Sequence, residues 1–207
     1  MSISTTIIII AATAIVSLIA FSNDELKNKL LLYPALMRNN TSEYHRFITS
    51  GFVHSDMVHL FFNMYVLYMF GEAVETMYSI YWGKKVLFFI MYMLALLASS
   101  LPSFAKHREN YYYRALGASG AVSAVVFSFI YFQPWAILKI FGIIPIPAIV
   151  AGILYLVYSA YAAKKAQDNI GHDAHFYGAV FGFIFTFIFD PTHGKIFFNQ
   201  IINPTFY

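Results

Sequence analysis

The chain has 207 residues, of which 59% are hydrophobic and only 11% are charged, and its mean hydropathy is +0.63. About a quarter of the residues of a soluble domain are charged, so this composition excludes an ordinary soluble domain and predicts a polytopic membrane protein. The net charge of +3 is too small and too scattered to indicate nucleic-acid binding. Without cysteine, the chain has neither a disulfide framework nor a thiolate metal site.

Six apolar stretches near membrane-spanning length follow one another along the chain. The first lacks the basic flank of a secretory signal and is followed by further spans, so we expect it to be a retained helix. The fourth would cover only about 24 Å, less than a hydrocarbon core of roughly 30 Å, and is expected to begin below the membrane surface. The prediction is an all-α bundle of six transmembrane helices in a single domain, residues 1–207, with spans at 4–21, 57–78, 86–101, 117–132, 147–163 and 173–189.

The segments between the predicted spans differ in character. Residues 22–53 are rich in basic, aromatic and apolar side chains, which predicts a folded segment lying on the membrane rather than a slack linker. Pro102 is expected to end the third span because proline cannot continue a regular helix. The remaining segments are predicted to be an interfacial turn at 135–145, a polar loop at 164–169 and a short aromatic tail after the sixth span ends at Asp190-Pro191.

The fourth and sixth spans carry matching faces of small residues. Ser119 lies between two glycines at the start of the fourth span, above a stripe of small residues at which another helix can pack closely. In the sixth span, His175, Gly178 and Gly182 occupy positions i, i+3 and i+7, which is one helical stripe. If the two faces meet, the hydroxyl of Ser119 and the imidazole of His175 lie at the same depth. This geometry would activate the serine as a nucleophile, with the histidine as its base.

Acyl transfer also requires hydrogen-bond donors for the oxyanion that forms during attack. His59 and Asn63 of the second span are four residues apart, share a helix face, and are candidate donors together with the backbone N–H of Ser119. Asp173 is only two residues from His175 and is expected to point elsewhere on the helix. A Ser–His dyad is therefore predicted rather than a triad.

Three motifs together resemble the signature of the rhomboid intramembrane serine proteases: Gly117-Ala118-Ser119-Gly120, His54-x4-His59-x3-Asn63, and Ala174-His175-x2-Gly178-x3-Gly182. The resemblance implies that Ser119 is the nucleophile, that His175 is the base, and that His59, Asn63 and Ser119 form the oxyanion hole. It also implies that Arg46 and Glu75 match structural polar positions of the family. We expect supporting roles for these two residues and for His54, Gly117, Gly120, Gly178 and Gly182.

The activity implied by the resemblance is hydrolysis of peptide bonds in transmembrane proteins, near the outer end of a helix and at small residues. The implied mechanism passes through an acyl-enzyme and uses neither a metal nor a cofactor. The expected location is a multi-pass position in lipid, in the plasma (inner) membrane of a prokaryote, with the site opening to the outer side. We expect the element that admits a substrate to lie within residues 145–163.

The sequence departs from the family pattern at two positions. The family often has an aromatic residue four positions after the nucleophile, stacked on the catalytic histidine, and this chain has Ser123 there. A tryptophan often precedes the loop arginine, and this chain has His45. The first departure leaves open how the ring of His175 is held, and the second leaves open how the loop is anchored.

Other interpretations remain open from the sequence. One is a non-catalytic rhomboid-like factor that binds membrane proteins for quality control. Another is a small transporter or metal carrier, although the histidines lack the His-Glu-x-x-His spacing of a zinc site. The implied topology places nine Lys and Arg in connections outside and four inside. This distribution opposes the topology, because basic residues are usually more frequent in the inside connections. Substrate identity and oligomeric state are not predicted.

Overall fold

The computed structural model describes residues 3–83, 86–140, 143–165 and 171–204, and it is mostly helical. The long helices are α1 (Thr5–Phe21), α5 (Met57–Trp82), α6 (Val86–His107), α7 (Ser119–Phe132), α8 (Ala148–Lys165), α9 (His172–Phe189) and α10 (Pro191–Ile202). The first connection contains short helices α2 (Asp24–Leu30), α3 (Pro34–Met37) and α4 (Arg46–Thr49), with 3₁₀ turns at Thr41–His45 and Ser50–Phe52. Strands β1 (Ile137–Ile140) and β2 (Ile144–Pro147) form the two-stranded sheet.

Local sequence explains where the main helices begin and end. The Ser4 hydroxyl accepts a hydrogen bond from the Ile7 N–H at the start of α1, and the Asp56 carboxylate accepts one from the His59 N–H at the start of α5. Such N-caps satisfy backbone donors that a helix leaves without partners. Helix α5 ends at Trp82 and is followed by Gly83, whose positive φ of 65° is the left-handed conformation common after a helix C-terminus.

Length and composition identify the helices that can cross a membrane. Helices α5 and α6 each qualify, and α9 and α10 qualify as a pair that is bent by 117°, so the described residues provide two or up to three such spans. Helices α1 and α7 are apolar but shorter, with 17 and 14 residues. The chain is thus a helical membrane protein, while a count of six spans stays a prediction.

Helix α7 lies at the centre of the bundle. It packs against α5, α6, α8 and α9, and 11 of its 14 residues are buried. A helix that is buried all round needs no polar face and can be shorter than the hydrocarbon core. Its first residue is Ser119. The observed start is two residues later than the predicted one.

The prediction that Pro102 ends the third span is wrong. Helix α6 continues through Pro102 to His107. A proline in a helix removes the hydrogen bond to the carbonyl four residues earlier, here that of Ala98, but neighbouring elements can offset the loss. Helix α6 packs against α9 and against α3 and α4 of the first connection, which supplies this support.

The prediction of an all-α chain is wrong between α7 and α8. Residues 135–145 were expected to form an interfacial turn, but β1 and β2 pair as an antiparallel hairpin with Ile137 opposite Pro147 and Leu138 opposite Ile146. Proline cannot donate to a sheet, and it is tolerated here because both strands are edge strands. Residues 141 and 142, at the tip, lie outside the described residues.

The C-terminal tail is also more regular than predicted. It forms α10, which Pro191 begins and which the Asp190 carboxylate caps by accepting from the His193 N–H at 2.9 Å. Asp-Pro was interpreted only as the end of the sixth span, although proline in a first turn also favours a new helix. The predicted polar loop contributes Lys164 and Lys165 to the end of α8, and residues 166–169 lie outside the described residues.

Candidate active site

The backbones of α7 and α9 touch, and glycines make this contact possible. A Cβ atom added to Gly178 would overlap the carbonyl oxygen of Gly120, and one added to Gly182 would overlap that of Ala124. A Cβ on Gly120 would overlap the side chain of Ser99 on α6. Because the two backbones are in contact, side chains at the N-terminal ends of both helices can come within hydrogen-bond distance of each other.

The meeting side chains are Ser119 and His175. The Nε2 atom of His175 lies 2.7 Å from the Oγ atom of Ser119. The Ser119 hydroxyl can donate to Nε2 when this nitrogen carries no proton, and the proton of the neutral ring is then on Nδ1. The pair then has the geometry of a nucleophile and its base. Ser119 is also the first residue of α7, where backbone N–H groups and the helix dipole favour negative charge.

Asp173 belongs to a different contact. Its carboxylate forms an ion pair with the Lys106 ammonium at 3.0 Å, at the end of α6. The ion pair agrees with the expectation that Asp173 points away from His175, while a Ser–His dyad stays a prediction.

Gly117 holds a backbone conformation that other residues rarely adopt. Its φ is 114°, its N–H donates to the Ser50 carbonyl at 2.9 Å, and a Cβ there would lie 2.7 Å from the Cε1 atom of His59. The glycine thus allows a turn into α7 and lets the imidazole of His59 lie against the backbone two residues before Ser119.

Asn63 and His59 lie on α5, which packs against α7. The buried Asn63 amide donates one hydrogen to the His59 carbonyl at 2.9 Å, and the His59 Nδ1 atom lies 3.0 Å from the Ser55 hydroxyl. The Ser55 hydroxyl donates to Asp56, so it accepts from His59 Nδ1–H. A primary amide carries a second N–H, and that hydrogen is the one an oxyanion would require from Asn63.

His54 ties the nucleophile's loop to α1. The Ala118 N–H donates to His54 Nε2 at 3.3 Å, so the proton of the neutral ring is on Nδ1, which donates to the Ser17 hydroxyl at 2.9 Å. That hydroxyl in turn donates to the Phe52 carbonyl. Burial, with a smaller contribution from the neighbouring His59, lowers the pKa of His54 to about 3. The ring stays neutral and holds the backbone next to Ser119.

Arg46 and Glu75 hold the surrounding structure and do not touch the pair. The buried Arg46 guanidinium donates to the Asn28 and Leu31 carbonyls at 2.7 and 2.8 Å and pairs with Glu43, which anchors the first connection without the family's tryptophan. The Glu75 carboxylate accepts hydrogen bonds from the backbone N–H groups of the first residues of α1, at 2.8 and 2.9 Å.

One residue of the site was missed from the sequence. The ring of Tyr155, on α8, is stacked on the imidazole of His175 with centroids 6.1 Å apart and planes 23° apart. Its hydroxyl lies 2.5 Å from the hydroxyl of Ser123. A signal was present, because Tyr155 lies in a helical stripe of otherwise small residues: Ala148, Gly152, Ser159 and Ala162.

Comparison with known proteins agrees with this fold and geometry. A family model described as the Rhomboid domain matches residues 41–191. RHOMBOID-like protein 12, mitochondrial, from Arabidopsis thaliana is 31% identical over 145 residues, which are 65% of this chain and 43% of the relative. Rhomboid protein 1, mitochondrial, from Saccharomyces cerevisiae is 29% identical over 160 residues, which are 74% of this chain and 44% of the relative.

Since the domain match spans well over half of it, the chain belongs to the rhomboid family. It is an integral membrane protein of a family whose members are generally intramembrane serine proteases acting on transmembrane substrates, although some are inactive. The chain spans less than half the length of the two relatives.

Proposed function

We propose that this chain is an intramembrane serine endopeptidase with Ser119 as the nucleophile and His175 as the general base. The observation that carries the proposal is the 2.7 Å contact between His175 Nε2 and the Ser119 hydroxyl in a member of the rhomboid family. A serine hydroxyl is a weak nucleophile by itself, and a neighbouring imidazole that removes its proton makes it reactive.

The reaction proceeds through an acyl-enzyme. The Ser119 oxygen attacks the carbonyl carbon of the scissile bond while its proton passes to His175 Nε2. When the tetrahedral intermediate collapses, the C–N bond breaks and the imidazolium gives this proton to the leaving amine. Water then attacks the ester, giving a proton to His175, and the imidazolium returns that proton to the Ser119 oxygen as the ester bond breaks. One peptide bond and one water give one amine and one carboxylic acid, and no metal or cofactor is needed.

The oxyanion of the intermediate is stabilised by N–H donors from two helices. We assign this role to the backbone N–H of Ser119, to the second amide N–H of Asn63, and to the His59 ring in the tautomer that carries its proton on Nε2. In that tautomer the Ser55 hydroxyl donates to His59 Nδ1 instead of to Asp56. The contact of the His59 ring with Gly117 supports the assignment, because it holds the ring beside the turn that carries the nucleophile. Donors of this kind are each worth about a hundredfold or more in kcat when they are removed singly.

The substrates proposed are transmembrane proteins, cleaved at small residues near the end of a helix. The two relatives are both named as mitochondrial proteins, so the comparisons do not support the expected prokaryotic plasma membrane. The proposal therefore keeps an integral membrane location and leaves out the prokaryotic one. His54, Arg46, Glu75 and the glycines act by holding the site in place.

Labelling with a fluorescent fluorophosphonate tests the proposal, because this reagent reacts with a serine only when a base activates it. The purified wild-type chain in detergent is expected to become labelled. Ser119→Ala is expected to abolish labelling and cleavage of a transmembrane substrate, and His175→Ala to reduce both by at least about a thousandfold. Ser128→Ala is a matched control, since Ser128 is a buried serine of the same helix that contacts Tyr78 and Thr186 instead.

Two results would contradict the proposal. If folded wild-type protein is not labelled, the chain is a non-catalytic member of the family that binds membrane proteins. If Ser119→Ala retains cleavage, the nucleophile is another residue. Thermal unfolding of each variant shows whether a loss of labelling results from misfolding.

A further inference from the structure

We propose that Tyr155 is the residue that positions the imidazole of His175, and that it replaces the aromatic ring which the family often carries four residues after the nucleophile. This inference rests on the proposed function, because it assigns Tyr155 a role in orienting the base of the same dyad. Tyr155 acts through the orientation of His175, so it is a positioning residue.

The first observation is the contact between the two rings. The phenol of Tyr155 and the imidazole of His175 are nearly parallel, with an interplanar angle of 23° and a centroid distance of 6.1 Å. Parallel, offset rings at about 4.5–7 Å are an arrangement that aromatic pairs prefer. The stacked face limits rotation of the imidazole about its last side-chain torsion, which is broad without such support.

The second observation is a hydrogen-bond chain whose direction is determined. The Ser123 hydroxyl has one hydrogen, which it donates to the Ser119 carbonyl at 2.8 Å, one helical turn earlier. The Ser123 oxygen must therefore accept from the Tyr155 hydroxyl, which lies 2.5 Å away. The ring that stacks on the base is thus tethered, through one serine, to the backbone of the nucleophile itself.

The third observation is the setting of Tyr155 on α8. Gly152 and Ser159, one turn to either side, are buried and small, and a Cβ on Gly152 would lie 2.7 Å from the Ile130 Cδ1 atom of α7. Small residues bring α8 close enough to α7 for one large side chain to reach across to α9. The small side chain of Ser123 leaves room for the ring of Tyr155, since a large residue at position 123 would compete for the same space.

Two consequences follow for the reaction. The ring keeps His175 Nε2 directed at Ser119 before attack, and the face of a tyrosine also attracts the imidazolium that forms during attack. In addition, the orientation of the base depends on the position of α8, because Tyr155 lies on α8 whereas Ser119 and His175 lie on α7 and α9. A displacement of α8 away from α7 would remove the ring from His175 and slow acylation.

The experiment measures the rate of fluorophosphonate labelling of the full chain at several reagent concentrations. It gives separately the rate constant at saturating reagent and the reagent concentration at half-saturation. Tyr155→Leu is expected to lower the saturating rate constant by about tenfold to a hundredfold with little change in half-saturation, because misorientation of a base affects the chemical step. Tyr161→Leu is the matched control, since Tyr161 is an exposed tyrosine of the same helix. It should label at the wild-type rate.

The tether is tested by a double-mutant cycle. Tyr155→Phe keeps the ring and removes its hydroxyl, and Ser123→Ala removes the acceptor, so each should slow labelling by a few-fold. Because both changes break the same link, the double variant should be no slower than either single variant. The exchange variant S123Y/Y155S, which moves the ring to the family's usual position, should label faster than Tyr155→Ser alone.

An NMR readout on the inactive Ser119→Ala background separates this inference from the proposed function. The stacked ring should shift the carbon-bound imidazole protons of His175 upfield, and Tyr155→Leu should abolish the shift while Tyr161→Leu leaves it. An unlabelled wild type with the shift present would overturn the protease and retain the positioning of His175. Normal labelling by Tyr155→Leu, or an unchanged shift in that variant, would overturn the inference and leave the protease standing.

Discussion

The Nε2 atom of His175 and the Oγ atom of Ser119 lie 2.7 Å apart although 56 positions separate the two residues in the chain. The contact exists because α7 and α9 approach until backbone meets backbone at Gly178 and Gly182. A difference of even about 1 Å between two reacting groups can cost roughly a hundredfold in rate. The spacing of these two helices is therefore the quantity on which the proposed chemistry depends.

We expect Gly178→Ala to lower both stability and activity. The added methyl group would overlap the Gly120 carbonyl, a backbone atom that cannot rotate away, so the helices must separate. Overpacking of this kind costs about 1–3 kcal/mol of unfolding free energy, and labelling at Ser119 should fall by more than about tenfold. Thermal unfolding and fluorophosphonate labelling measure the two effects.

Gly171→Ala is the control for that prediction, because among the described residues a Cβ at this position meets only the Ala174 Cβ at 3.6 Å, an ordinary contact. It should leave stability and labelling close to wild type. Unchanged labelling of Gly178→Ala would show that the dyad does not depend on this helix contact.

Gly117→Ala is expected to impair labelling more than stability. The residue has a φ of 114°, and an added Cβ would lie 2.7 Å from the His59 ring. An alanine in this conformation costs about 1–3 kcal/mol and moves either the turn into α7 or the imidazole of His59. Labelling rates would reveal the shift at the site, and a variant with wild-type kinetics would contradict it.

The stability of the chain is expected to fall below about pH 6.5 because of His54. Its pKa is about 3 in the folded protein and 6.5 in the unfolded chain, so the unfolded state binds the proton first as the pH falls. The stabilisation is fully present above about pH 6.5 and is lost progressively toward about pH 3, by at most about 5 kcal/mol. Unfolding midpoints at about pH 7.5, 6 and 5 in detergent would measure it.

His54→Gln is the matched variant for the pH series, since its amide can still accept from the Ala118 N–H but does not titrate. It should be less stable than wild type at about pH 7.5 and should lose less stability between about pH 7.5 and 5. The neighbouring His59 and Asp56 titrate in both proteins, so the difference between the two slopes belongs to position 54. Equal slopes would assign the pH dependence elsewhere.

Glu75→Gln should loosen α1 without touching the dyad. The carboxylate accepts from the backbone N–H groups of Thr5 and Thr6 and from the Thr6 hydroxyl, and a neutral amide accepts these bonds more weakly. The expected loss is about 1–2 kcal/mol of unfolding free energy. Proteolysis of the N-terminal segment should accelerate, whereas labelling per folded molecule should stay near wild type. A selective loss of labelling would place Glu75 in the catalytic machinery.

Much of the candidate site could be predicted from the sequence. The helical period sets which residues share a face, so the stripe of His175, Gly178 and Gly182 was readable from spacing alone. The small residues after Ser119 indicated a close partner in the same way. These are local properties of single helices, and they survive folding because the helix geometry does not depend on the partner.

The errors have a common cause. Helix α6 passes through Pro102 because neighbouring elements support it, and the hairpin of Ile137–Ile140 with Ile144–Pro147 depends on pairing between two segments. Neither kind of support is visible in one segment by itself. Tyr155 was overlooked for a similar reason, since its stripe was readable but its contact with His175 spans two helices.

By itself, the sequence determined the class of protein and the faces of its helices, because composition and period are properties of the chain alone. Its three motifs, through their resemblance to a known family, singled out the two residues proposed to react. The tertiary structure alone decided that α7 lies at the centre, that the two residues meet at 2.7 Å, and that the ring over His175 comes from α8. The physical reason is that a position on a helix limits where a side chain points, whereas only the packing of several helices decides what it meets.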